Sequence, residues 1–115
     1  MQYALLICAE GERPPDDAPP PDLDASAWVE EMTDRGIRSF GDRLAPPEDA
    51  TTVRLRNGRL VLTDGPFAET KELICGFDII ECADLDEAIE VASKHPMAGF
   101  GMIEVRPFWT PPPPS

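Results

Sequence analysis

Nine consecutive residues hold the densest set of chemically useful side chains in this sequence. Asp64-Gly65-Pro66-Phe67-Ala68-Glu69-Thr70-Lys71-Glu72 places four ionisable groups around one aromatic ring and one Gly-Pro break. A run of this kind either fixes a hard turn or presents charge to a ligand. Asp64 is the candidate general acid/base, because a carboxylate at the end of an apolar segment can take or give a proton. The structural alternative is an Asp that accepts backbone N–H groups and caps the turn before Gly-Pro. Glu69 and Lys71 share a face if the chain is extended, and Glu69 and Glu72 do so if it is helical. Glu69, Lys71 and Glu72 are therefore candidate ligand contacts, against the plain reading of a solvated ion-pair cluster. Arg54 and Arg106 complete the candidate set, since a guanidinium grips a carboxylate with two parallel hydrogen bonds. Their partner is either a small anionic ligand or an acid of the chain itself, such as Glu69, Glu72 or Asp78.

Other chemistries find less support. A solitary histidine, His95, closes a helix just before Pro96, where a protonated imidazole would favour the helix C-terminus. One His and three scattered Cys (Cys8, Cys75 and Cys82) build no zinc or iron cluster, and the sequence implies no metal. No phosphate-binding loop, dinucleotide glycine fingerprint or nucleophile elbow occurs, so no cofactor is expected.

The elements that must position these residues follow from pattern. Tyr3–Ala9 is a continuous apolar run, a strand covered on both faces. A Pro- and acid-rich loop, 11–21, follows. Asp22 or Asp24 can cap a helix reaching about Arg35, with Trp28 and Met32 on its buried face and Gly36 at its close. Ile37–Leu44 is a short strand interrupted by Gly41. Asn57-Gly58 then predicts a type I′ hairpin between 51–56 and 59–64, which sets Leu55 opposite Leu60, Val53 opposite Leu62 and Thr51 opposite Asp64. The next strand, Leu73–Cys82, puts Gly76 and Asp78 on one face. Asp84 and Glu87 open a second helix with a capping-box variant, and its buried stripe is read as Leu85, Ala88, Ile89 and Ala92. Gly101–Phe108 is the last strand, with Ile103 and Val105 on one face and Glu104 and Arg106 on the other. Residues 109–115 form a Pro-rich tail outside the domain of residues 1–108.

The order is that of a βαββαβ α+β sandwich with an inserted hairpin and its helices on one face of the sheet. Strands apolar on both sides leave the second face in need of cover, and a homodimer supplies it. The 115 residues make one domain. A net charge of -12 disfavours binding to nucleic acid or to an anionic membrane. Reduced thiols and the absence of a signal pattern point to the cytoplasm.

Asp64-Gly65-Pro66-Phe67, the following Glu69-Thr70-Lys71-Glu72, Gly76, Glu104-Val105-Arg106-Pro107, Thr52-Val53-Arg54 and Asp86-Glu87-Ala88 resemble the YCII-related proteins of the DGPF-motif group, over residues 1–108. That resemblance implies a ferredoxin-like antiparallel sheet that dimerises into an α/β barrel, with a pocket between the sheet and the partner. Related dimeric barrels isomerise or dehalogenate small lactones, or bind small molecules without chemistry. The implied functions are thus an isomerase, lyase or dehalogenase-like enzyme using an acidic residue, or a non-catalytic ligand-binding or regulatory module beside extracytoplasmic-function sigma factors. Some YCII relatives are thought to use a His–Asp pair; here the first helix holds no histidine.

Overall fold

The computed structural model describes residues 1–10, 24–65 and 72–114. The strands are β1 (Gln2–Glu10), β2 (Arg38–Arg43), β3 (Thr51–Arg56), β4 (Arg59–Asp64), β5 (Glu72–Glu81) and β6 (Met102–Pro107). The helices are α1 (Ser26–Asp34), α2 (Leu85–Ser93) and the single turn α3 (Met97–Phe100). β2, β5, β1 and β6 form a four-stranded sheet in that order, every pair antiparallel, while among the described residues β3 and β4 pair only with each other. This is the α+β, ferredoxin-like arrangement expected from the sequence.

The apolar run of β1 takes the central position, with β5 on one side and β6 on the other. Its Tyr3 and Leu5 turn toward the helices. There they join Trp28 and Met32 of α1, Ile80 of β5, and Ala88 and Val91 of α2 in the buried core. The opposite side of the same strands carries Ala4, Leu6, Phe77 and Ile79, all half-buried. Phe40, 61% exposed, packs against Phe77 with ring centroids 5.7 Å apart. So one sheet face is sealed by helices, and the other is open among the described residues, apolar at its centre and charged along β6, where Glu104 and Arg106 pair.

Local signals account for the element ends. Asp84 accepts the Glu87 N–H at 2.9 Å, and the Glu87 carboxylate accepts the Ala83 N–H at 3.2 Å, so the acids at the start of α2 do bind its unpaired donors. Asp24 accepts the N–H of Ser26 at 2.9 Å at the start of α1, although the capping position itself is Ala25. Gly36 closes α1 at φ +72°, a left-handed geometry that only glycine adopts without strain. In the hairpin Asn57 and Gly58 both have positive φ, and the observed register matches the expected one at every pair.

The buried stripe of α2 differs from the expected one. Ala88, Val91 and Ala92 are buried, whereas Leu85 and Ile89 are half-exposed. The helix is rotated so that Val91, and not Ile89, meets α1. The anchor is a hydrogen bond, since the Trp28 indole N–H donates to the Val91 carbonyl at 2.9 Å inside the core. A buried indole must find an acceptor, and this one sets the helix roll.

Met32→Ala should cost about 2–5 kcal/mol of unfolding free energy by cavity formation. Ile89→Ala, on the exposed side of α2, should stay within roughly 0.5 kcal/mol. Denaturant melts of the two variants check the helix orientation; equal losses would contradict it.

Candidate functional site

Beneath the helix layer, between α1, the β2–β5 edge of the sheet and the turn after α2, lies a cavity of about 780 Å³. Ile7, Val29, Met97 and Phe100 supply apolar wall. Three polar side chains from separate elements converge on it: Arg38 from the start of β2, Asp78 from the middle of β5, and His95 from the turn between α2 and α3. The volume suits a small metabolite, and apolar walls with a few convergent polar groups are the usual make-up of such sites.

Asp78 is only 5% exposed, and register places it on the helix-facing side of β5, two residues from Ile80. Its Oδ1 accepts from Arg38 Nε at 2.8 Å. Arg38 in turn donates through its other arm to the Gly41 carbonyl at 2.7 Å. Burial pushes the Asp78 carboxyl above its ordinary value, and the hydrogen bond and charge of Arg38 only partly offset that. Gly41 lies opposite Asp78 in the ladder, and a Cβ there would overlap Asp78 Oδ1 and the Phe77 carbonyl. The interruption of β2 by glycine thus makes room for the carboxylate.

His95 is 6% exposed and does not play the expected part at a helix terminus. α2 ends at Ser93, and the imidazole turns inward, its ring 4.7 Å from that of Trp28 in an edge-on contact. Nδ1 accepts the Met97 N–H at 3.0 Å. An accepting Nδ1 carries no proton, so the ring is neutral with its proton on Nε2. Burial lowers its pKa, and Asp78 pulls it back up. Among the described residues Nε2 has no hydrogen-bond partner.

Of the residues singled out from sequence, Asp64, Arg54 and Arg106 lie elsewhere. Asp64 is exposed at the end of β4, and among the described residues its carboxylate accepts no hydrogen bond. The turn there is held by backbone and by Thr52. Gly65 N–H donates to the Ala50 carbonyl at 2.7 Å, and Thr52 Oγ1 donates to the Gly65 carbonyl at 2.7 Å. Arg54 is half-buried on the other face of the same hairpin. Arg106 is exposed on β6 and pairs with Glu104 at 2.6 Å. None of the three lines the cavity. Glu69 and Lys71 lie outside the described residues; Glu72 begins β5 opposite Glu10, and its side chain lies outside them too.

The three cavity groups carried a weak signal in the sequence. Asp78 is the one charge inside the apolar stretch 73–80 of β5, close to Gly76, and an isolated charge in such a strand is buried only with a partner. Arg38 opens a strand that also holds Asp42 and Arg43, so it does not stand out. Nothing local pairs them, because they are 40 residues apart in the chain.

Among the described residues no group of three His, Cys, Asp or Glu is arranged to hold a metal ion. Cys82 is buried, and its thiol is pushed up to about 11 by that burial and by Glu87, so it is unreactive at neutral pH. No helix among the described residues is long and apolar enough to cross a membrane.

Residues 1–110 match the YCII-related domain family. An uncharacterized protein of Rhizobium meliloti (strain 1021) is 38% identical to the chain over 99 residues, spanning 71% of this chain and 80% of the relative.

The His95 geometry has a direct readout. An NMR titration of its imidazole should give a midpoint below 6.5, the ordinary value. A depressed His pKa means that this contribution to stability is complete above 6.5 and is lost as pH falls through the folded-state midpoint. The raised carboxyl of Asp78 acts in the opposite sense, favouring the fold as pH falls toward 3.8. A His95 midpoint at or above 6.5 would mean that burial of the ring does not outweigh the pull of Asp78. Gly41→Ala should destabilise the fold by about 2 kcal/mol or more, since the added methyl has backbone on one side and Asp78 on the other.

Proposed function

The chain belongs to the YCII-related domain family, and from that premise we propose that it binds a small uncharged carbonyl compound in the cavity beside Asp78. The reaction we assign is proton transfer next to that carbonyl, as in an isomerase or lyase. The observation that carries this reading is the convergence of a buried carboxylate, Asp78, and a neutral imidazole donor, His95, on one cavity large enough for a metabolite.

Their roles follow from their protonation states. Asp78, held by Arg38, acts as base and takes a proton from the carbon beside the carbonyl. The C–H electron pair forms the new C=C bond, and the carbonyl π pair moves onto oxygen. His95 Nε2–H donates a hydrogen bond to that oxygen, a task suited to a neutral imidazole in a buried site. In a β,γ-unsaturated compound the enolate extends over the second C=C, and return of the proton to the γ-carbon gives the conjugated isomer; departure of a β-substituent with its bonding pair gives elimination. A raised carboxyl pKa brings a base closer to working pH and strengthens its pull on a weakly acidic C–H.

The expected anionic ligand rested on Arg54 and Arg106, which stand away from this cavity. Its lining carries Asp24, Glu30, Asp34, Asp42 and Asp78 against Arg38 and Arg43. An anion would meet net repulsion there, which favours a neutral compound such as a lactone. Membership of the DGPF-motif group, and cover of the open sheet face by a second copy, belong to the same proposal. Phe40, Phe77, Leu6 and Ile79 offer that copy a continuous apolar surface.

A panel of small lactones and ketones in D2O, followed by proton NMR, tests the chemistry. The wild-type protein should exchange the proton beside the carbonyl of at least one compound. Asp78→Asn should slow that exchange at least about 100-fold; it keeps an acceptor for Arg38 but leaves that guanidinium without its counter-charge, so a lowered melting temperature is expected and exchange is compared on protein shown folded by circular dichroism. Asp64→Asn in parallel should leave exchange unchanged. Loss of exchange in the Asp64 variant alone would transfer the role to the hairpin carboxylate. Ligand binding without exchange would leave a binding module, the regulatory alternative.

A further inference from the structure

The β3–β4 hairpin has no role in that chemistry, and its surface is unusual. Val53, Leu55, Leu60 and Leu62 share one face by register and are each between 61% and 65% exposed. Four neighbouring aliphatic side chains left in water on a two-stranded ribbon are costly, and an isolated hairpin is marginal without cover. The other face carries Arg54, Arg56 and Arg59, with Arg56 directly opposite Arg59. Like charges across a ladder repel. Arg54 is half-buried, but Arg56 and Arg59 are exposed at the tip of the ribbon, while the chain as a whole has a net charge of -12.

We propose that this hairpin is a clasp whose apolar face is covered by a second copy of the chain. The occupant is argued from charge and from shape. A basic arm on a strongly acidic molecule is attracted to another such molecule. The chain also presents the apolar partner surface that the arm needs. Phe40 stands 61% exposed on edge strand β2, in register with Ile79 and against Phe77. In a two-fold assembly each copy gives its arm and receives the other's, so both exposed apolar surfaces are covered by one operation. The Asn57-Gly58 turn suits a rigid arm, because the type I′ geometry fixes the register and with it the face that is presented.

The inference rests on the dimeric reading, and one experiment separates the two. Light scattering on the wild-type chain should give twice 12.6 kDa. Leu55→Glu with Leu60→Glu, both solvent-facing in the single copy, should leave the circular dichroism of the core unchanged and weaken dimerisation roughly 100-fold or more. Thr63→Glu, on the opposite face, should keep the dimer and guards against a general effect of added charge. Leu60→Lys serves as second variant if the double variant fails to fold, with the same expected loss of dimer. A wild-type dimer that survives both hairpin variants overturns the clasp and leaves the dimer standing. A wild-type monomer at all concentrations overturns both. Arm-dependent binding of an acidic peptide or of duplex DNA by such a monomer would assign the ribbon to another class of partner.

Discussion

A carboxylate buried in the middle of a sheet needs space and a partner, and Asp78 draws both from strand β2. Gly41 yields the space by having no side chain opposite it. Arg38 supplies the partner and ties its other arm to the Gly41 carbonyl, so edge strand β2 is fastened to β5 by charge as well as by its ladder. Removing one member of such a pair would strand a charge in low dielectric, and the pair therefore acts as a unit. The cavity and its polarity depend on this contact, because β2 forms one wall and Asp78 sets the field that the His95 imidazole senses.

The helix layer completes the arrangement. The hydrogen bond from Trp28 to the Val91 carbonyl fixes the roll of α2 against α1, and the edge contact of Trp28 with His95 holds the ring where Nδ1 can accept from Met97. One tryptophan thus links core packing to the protonation state of the site. The half-exposed positions of Leu85 and Ile89 are the counterpart of the same roll. The hairpin stands apart from this machinery, with an apolar face that the described residues leave uncovered.

Much of the fold was legible in the chain. The hairpin register followed from Asn57-Gly58, the central strand from the unbroken apolar run of Tyr3–Ala9, and the end of α1 from Gly36, because each depends on a local conformational preference. The site was far less legible. Asp64 stood out through charge density in a short stretch, yet charges crowded in sequence are most often crowded in water, and Asp64 is exposed. The stripe of α2 was misplaced for a related reason. Ile89 and Val91 are about equally apolar, and which of them faces inward was decided by an indole N–H more than 60 residues away.

By itself, then, the sequence determined the main elements, their order and the register of the one tight hairpin, since these rest on backbone preferences within a few residues; the turn α3 after Pro96 was not among them. Tertiary structure alone decided the site. Arg38, Asp78 and His95 are individually unremarkable and distant in the chain, and only the antiparallel pairing of β2 with β5 and the inward turn after α2 bring them to one cavity. Burial there changes their chemistry, raising the carboxyl and keeping the imidazole neutral, because removal from water penalises charge. That change is a property of the surroundings, which no residue carries in its own identity.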